Sequence, residues 1–187
     1  MSGYSTVSER DLPILKANIT DIAPNIVVMG DPNRVMEGSK FLQDPKEVGS
    51  YREYLTITGL YKRTLVTLCS HGVGASGASV CFQDLFRAKV KNVIRAGTCG
   101  ALQSFIKDGD IIISTSAVRE DGTTPSLVPI EYPAAANHDV LSALEKVSVR
   151  HSDNIHTGIT ITTSSFSSEL LPNNYELKDE VVMVMPV

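Results

Sequence analysis

The chain has 187 residues, of which 42% are hydrophobic and 20% charged. This length can enclose one core but is short for two ordinary domains, so we expect a single domain over residues 1–187. A formal net charge of −4 argues against a nucleic acid or an anionic membrane as partner. Residues 1–11 lack the features of a secretory signal, and no apolar run approaches the roughly 20 residues of a bilayer helix, so a cytoplasmic location is expected.

The first predicted elements are a strand and a helix. Residues 25–29 form a short apolar run that ends at Gly30-Asp31-Pro32, a pattern typical of a buried strand followed by a turn, and a helix can begin just after Pro32. Residues 47–59 and 62–70 are rich in Tyr, Thr, Val and Leu, which predicts a hairpin of two strands.

Helices and strands then alternate. Over residues 78–90, Phe82, Phe86 and Val90 recur four apart, with Cys81 and Leu85 beside them, which predicts a helix with one apolar stripe in the core. Further strands are predicted at residues 92–96, 110–118 and 157–163, and a helix at 137–150. The alternation predicts an α/β fold with a mostly parallel, twisted sheet flanked by helices on both faces.

The cysteines and one histidine have ordinary interpretations. Cys69, Cys81 and Cys99 have no metal-ligand spacing, so we expect reduced thiols and no metal site. His71 stands beside a glycine-rich turn, where a hydrogen-bonded loop residue is more common than a general acid.

Three predicted strands run directly into glycine-containing turns, at residues 30–34, 72–77 and 95–100. Loops at the carboxyl ends of neighbouring parallel strands share one crevice, so these turns are expected to converge. Glycine lets backbone N–H groups approach an anion closely, and Arg34, Arg95 and Thr98 add donors suited to a tetrahedral oxyanion. The pattern therefore predicts a phosphate site.

Three motifs carry a family resemblance. The sequences GDPNRV (30–35), SHGVGASGASV (70–80) and RAGTCG (95–100) resemble, in order and spacing, those of the nucleoside phosphorylases that include the hexameric-type purine nucleoside phosphorylases and the uridine phosphorylases. The resemblance is clearest over residues 22–166. It implies reversible phosphorolysis of a nucleoside to a free base and ribose 1-phosphate, with inorganic phosphate as co-substrate and no other cofactor or metal. Uridine is slightly preferred to inosine or guanosine.

The resemblance also implies site residues. Arg34 and Arg95 would be catalytic, and Arg52 would reach the phosphate site of a neighbouring subunit, which implies a homodimer or a higher homo-oligomer. The phosphate-binding positions implied by the motifs are Gly30, Arg34, Arg52, Arg95 and Thr98. The nucleoside-binding positions are Val73, Thr98, Cys99, Gly100 and Phe166.

The sequence departs from the family pattern in three places. After Phe166, residues 167–171 lack the Gln and Arg with which uridine phosphorylases read uracil. The family's C-terminal portion, with its Glu-Met-Glu ribose-binding motif, is missing, and residues 12–15 lack the histidine that many relatives place there. A truncated, non-catalytic paralogue that binds phosphate or nucleoside, or acts as an interaction protein, is therefore the alternative. Base specificity also stays open, because residues 129–133 resemble the uridine branch and residues 95–100 the protozoan purine enzymes.

Overall fold

The computed structural model describes residues 11–164 and 181–186. The chain forms two compact units, residues 1–97 and 98–187, and each is described by itself. Within the described ranges, no helix is both long enough and apolar enough to span a bilayer. That the whole chain makes one domain stays a prediction.

The elements of the first unit are β1 (Asn25–Met29), α1 (Pro32–Ser39), β2 (Gln43–Tyr51), β3 (Tyr54–Tyr61), β4 (Thr64–Ser70), α2 (Ala75–Arg87) and β5 (Asn92–Arg95). The strands form one five-stranded sheet in the order β2-β3-β4-β1-β5. Strand β1 runs parallel to both β4 and β5, whereas β2, β3 and β4 are joined as antiparallel neighbours.

Apolar side chains of this sheet are buried on both faces, as the continuous apolar run of β1 predicts. Ile26 and Val28 belong to a cluster that includes Leu85 of α2. Met29 packs with Val35 of α1 in a second cluster. Because successive strand residues point to opposite faces, one strand supplies both clusters.

The segment before β1 is anchored to α2 by a buried carboxylate. Asp84 is 2% exposed, and its Oδ2 accepts hydrogen bonds from the backbone N–H groups of Ile14 (2.7 Å) and Leu15 (3.0 Å). Leu12 and Leu15 are fully buried. The carboxylate thus satisfies backbone donors that would otherwise be unpaired where the segment enters the core.

Two predictions about this unit were wrong. The predicted hairpin of two strands is a meander of three, because the chain reverses between Tyr51 and Tyr54 with Arg52 in the left-handed region (φ 55°). The predicted core stripe over residues 78–90 is wrong for Phe86, which is 86% exposed, and for Phe82, which is 37% exposed. Val90 packs against the core, as predicted. The buried residues of this helix are Ala78, Cys81, Asp84 and Leu85.

The elements of the second unit are β6 (Gly100–Ala101), β7 (Ile111–Glu120), α3 (His138–Ser148), β8 (Ile155–Thr163) and β9 (Val181–Pro186). The strands form a four-stranded sheet in the order β6-β9-β8-β7, in which β7, β8 and β9 are parallel and β6 is antiparallel to β9. Helix α3 starts after Asn137, whose side chain accepts from the N–H groups of Asp139 and Val140. The predicted α/β class is confirmed.

Candidate functional site

The site that the sequence predicts begins at the carboxyl ends of three neighbouring parallel strands, β4, β1 and β5. The register pairs Met29 with Ser70 and Val28 with Arg95, so the three strands end at nearly the same level. The ladder continues into the turns, because the His71 N–H donates to the carbonyl of Met29 (2.8 Å) and the Ala96 N–H to that of Val28 (2.9 Å). The turns after these strands therefore start side by side.

The first turn brings Arg34 against the second turn. Asp31 caps α1 by accepting from the Asn33 N–H (2.8 Å), and Pro32 occupies the first helical position. A Cβ placed on Gly30 would lie 3.5 Å from Arg34 Nη2, 3.5 Å from the Gly72 carbonyl oxygen and 4.0 Å from His71 Cε1. The half-buried Arg34 guanidinium therefore lies over Gly30, beside the loop that begins at His71.

His71 occupies the centre of this group. It is fully buried, its Nε2 lies 3.2 Å from Arg95 Nε, and its ring centroid is 6.2 Å from that of Phe82. Burial, and then the positive charges of Arg95 and Arg34, lower the pKa of His71 below that of an exposed histidine, although nearby carbonyls of Gly72 and His71 oppose the shift. Both guanidinium groups thus lie near one neutral imidazole.

In the third turn, the Arg95 guanidinium folds back over the backbone of Gly97. A Cβ on Gly97 would lie 2.7 Å from Arg95 Nη1 and 3.3 Å from Arg95 Cζ, closer than side-chain atoms normally approach. Only glycine at position 97 leaves the guanidinium in this place. Gly97 is therefore the residue that allows Arg95 to take this position.

The β2–β3 turn closes one side of the second loop. The Tyr54 hydroxyl donates to the Gly77 carbonyl (3.3 Å), and the Ser70 hydroxyl donates to the Glu53 carbonyl. Gly72 has φ +72°, and a Cβ there would collide with the Glu53 side chain. Arg52, at the tip of this turn, is exposed, with its guanidinium carbon 5.2 Å from the Tyr51 ring centroid.

The structure brings three of the predicted phosphate-binding residues together, Gly30, Arg34 and Arg95. Val73 lies in the second loop and is 88% exposed. Three other predicted residues begin the second unit and are exposed: Thr98, Cys99 and Gly100. Phe166 lies outside the described residues.

Sequence reasoning missed two contributors to this region. Glu53 packs against Gly72, and no local pattern indicates this contact. His71 was predicted to be a hydrogen-bonded loop residue, and its hydrogen bond is confirmed, but its complete burial and its pairing with Arg95 were not foreseen. The Gly-x-Gly turn after His71 was the only signal that could have suggested a buried, close-packed position.

Arg34, Arg95 and the glycine turns form an arrangement suited to a multiply charged oxyanion. Arg34 makes no salt bridge with a carboxylate of residues 11–164. Two guanidinium groups near a neutral ring in a half-buried setting favour an anion between them, because each can donate two parallel hydrogen bonds to neighbouring oxygens.

The chain is similar in sequence to known proteins. The family model described as "Phosphorylase superfamily" matches residues 24–183. The chain is 32% identical over 157 residues to the guanosine phosphorylase of Halorubrum lacusprofundi, and this alignment covers 84% of this chain and 65% of the relative. It is 37% identical over 150 residues to the uridine phosphorylase of Thermococcus kodakarensis, which covers 78% and 53%.

A solved structure shows the same fold. The purine nucleoside phosphorylase of Toxoplasma gondii in complex with immucillin-H superposes with a TM-score of 0.87 at 28% identity, over 98% of this chain and 73% of that one. The chain thus spans about half to two thirds of the length of these two curated relatives.

Proposed function

Since this chain belongs to the phosphorylase superfamily, we propose that it catalyses the reversible phosphorolysis of a nucleoside to a free base and ribose 1-phosphate. The observation that carries the proposal is that Arg34, in the first turn of α1, and Arg95, at the end of β5, both lie near the imidazole of His71. Two arginines grouped in this way match the charge and shape of inorganic phosphate.

Phosphate is both the nucleophile and the electrostatic partner in this reaction. The transition state carries positive charge on the sugar, and a phosphate dianion held beneath the anomeric carbon stabilises that charge. Arg34 and Arg95 act by fixing the dianion in place, so that attack becomes effectively intramolecular. Phosphate is a co-substrate, and the reaction requires no covalent enzyme intermediate.

The remaining site positions belong to the same proposal. Thr98 would add a hydroxyl donor to phosphate and contact the nucleoside. The apolar or backbone surfaces that would contact ribose and base are those of Val73, Cys99, Gly100 and Phe166. The names of the two curated relatives support a nucleoside substrate with either class of base, and we keep uridine slightly ahead of a purine nucleoside. A cytoplasmic location and the absence of any cofactor stay predictions.

Arg52 is proposed to act in a neighbouring copy of the chain. Its position at the tip of an exposed turn leaves the side chain accessible from outside the protomer. A homodimer or larger homo-oligomer would bring this guanidinium to the partner's phosphate. The active unit would then be the oligomer.

The direct test is an assay in which chromatography measures the free base released from uridine and from inosine in the presence of phosphate. We expect release from at least one nucleoside, and none when phosphate is omitted. Phosphate binding in a calorimeter without release from either nucleoside would support the non-catalytic alternative. If the protein neither binds phosphate nor releases base, that result contradicts the phosphate site itself.

Gly97→Ala tests the placement of Arg95 without removing its charge. The new Cβ would displace the guanidinium, and we expect phosphate binding to weaken about three- to tenfold, less than the full loss of a charge-assisted hydrogen bond, because Arg95 keeps its charge and its donors. The free energy of unfolding should change by less than about 1 kcal/mol, because the colliding atoms lie at the end of a flexible side chain. Calorimetry and urea unfolding measure the two quantities.

The matched control is Gly122→Ala, because a Cβ at that glycine meets nothing within 4 Å. This control should bind phosphate as the wild type does. Equal binding by Gly97→Ala would mean that the position of Arg95 in the ligand-free protein has no bearing on phosphate.

A further inference from the structure

We infer that His71 is a positioning residue, a neutral hydrogen-bond acceptor that holds the Arg95 guanidinium ready for phosphate. The inference rests on the proposed phosphate site and adds to it a residue that does not itself touch the substrate. It is carried by the 3.2 Å contact between Arg95 Nε and His71 Nε2, and by the complete burial of the ring.

The chemistry of the two groups determines the tautomer. An arginine guanidinium stays protonated in proteins, so Arg95 Nε is the donor and His71 Nε2 must present its lone pair. The proton of the neutral ring is therefore on Nδ1. This atom is buried and has no partner of hydrogen-bond geometry among the described residues, although the carbonyls of Gly72 and His71 favour a protonated ring.

The ring is a rigid acceptor. The backbone N–H of His71 is bonded to Met29 of β1, and its ring lies beside Phe82 of α2. An acceptor fixed by the sheet and a helix restricts the rotamers of Arg95 before phosphate arrives. The hydrogen bond to His71 uses Nε, and the planar fork of Nη1 and Nη2 has the geometry that matches two phosphate oxygens. Such preorganisation raises affinity by lowering the entropy lost on binding.

Acid is expected to undo this arrangement. The charged groups near the ring are Arg95 from β5, Arg34 from α1 and Glu53, which lies against Gly72. A proton on Nε2 would replace the acceptor with a donor and add a positive charge beside two guanidinium groups. The pKa of His71 is lowered by burial and by Arg95, so the ring remains neutral at neutral pH.

The sign of the stability effect follows from this lowered pKa. Above the pKa of an unfolded histidine, about 6.5, both states are neutral at this site and the stability is unaffected. As the pH falls below that value, the unfolded chain binds the proton first, so the free energy of unfolding decreases until the folded pKa is passed. His71→Gln should lack this decrease.

Two variants separate the acceptor from the shape of the ring. The Oε1 of His71→Gln can accept from Arg95, whereas His71→Leu cannot. We expect His71→Leu to bind inorganic phosphate about 5- to 20-fold more weakly than the wild type in calorimetry at pH 7.5, less than the full loss of a hydrogen bond to a charged group, because Arg95 itself remains. His71→Gln should stay within about threefold of the wild type. His138→Leu, at an exposed histidine of α3, is the control.

Unchanged binding by His71→Leu would overturn the inference, and so would equally weak binding by the two His71 variants. If the wild type binds no phosphate, the proposed function fails, and the positioning of Arg95 by His71 is tested separately by ¹⁵N NMR of the histidine rings in the wild-type protein. We expect an unprotonated Nε2 for His71 at pH 7.5 and a His71 resonance that shifts in Arg95→Met. A protonated Nε2, or no shift in Arg95→Met, would overturn the inference.

Discussion

Arg95→Met is expected to weaken the binding of inorganic phosphate about 10- to 100-fold, the range for losing hydrogen bonds from a charged group. Methionine keeps much of the length of the side chain but removes the charge and every donor. Arg34 remains in the variant, so binding should be reduced and not abolished. If the chain releases base from a nucleoside, the rate at subsaturating phosphate should fall at least as much as the affinity.

Arg95→Lys distinguishes charge from geometry. Lysine retains the positive charge but has no planar fork and no Nε donor for His71, so we expect an affinity between those of the wild type and Arg95→Met. Arg63→Met is the control, because Arg63 is exposed in the β3–β4 turn, just before β4 begins. If Arg95→Met and Arg63→Met bind phosphate equally well, Arg95 is not part of the site.

Asp84→Ala is expected to lower the free energy of unfolding by about 2–5 kcal/mol. The substitution leaves the N–H groups of Ile14 and Leu15 without their acceptor where the segment before β1 enters the core. A small domain has a total stability of about 5–15 kcal/mol, so this loss is a large part of the whole. Urea unfolding followed by circular dichroism measures it.

Asp84→Asn should cost less than Asp84→Ala, because the amide keeps one oxygen that can accept from either N–H, although its NH2 group needs a partner of its own. Asp108→Ala is the control, since Asp108 is exposed, and we expect a change within about 0.5 kcal/mol. Similar unfolding midpoints for Asp84→Ala and Asp108→Ala would show that the buried hydrogen bonds do not anchor this segment.

The sequence predicts reduced cysteines, and the structure adds that two of them lie side by side in the core. Cys69 and Cys81 are free, as expected, but their sulfur atoms lie 3.7 Å apart in the core under the second loop. The hydrogen bond with Cys69, together with burial, raises the pKa of the Cys81 thiol. This thiol therefore stays protonated and contributes to packing.

Local patterns were sufficient for the strands that carry the site. The apolar run of β1 ends where glycine and proline follow it, and the structure places β1 at residues 25–29, as predicted. Strand β5 ends one residue before the predicted end, at Arg95. Both predictions succeeded because a buried parallel strand is a short apolar run and the turn residues that stop it are adjacent in sequence.

Local patterns failed where the signal was weak or ambiguous. The reversal at Arg52 contains neither glycine nor proline, so nothing in the sequence separated β2 from β3. The predicted stripe combined Phe82 and Phe86 with Cys81 and Leu85, but apolar residues on two adjacent faces of a helix do not reveal which face packs on the sheet. The structure buries the face of Cys81 and Leu85 and leaves Phe86 exposed.

By itself, the sequence determined the α/β class, the strand-to-glycine turns and the family, because each depends on residues close together along the chain. Only the tertiary structure decided that Arg95 is bonded to His71, 24 positions away, and that Asp84 receives the N–H groups of Ile14 and Leu15. The physical reason is that such contacts depend on strand order and register. Strand order and register are set by the packing of the whole sheet, so local patterns in the sequence do not reveal them.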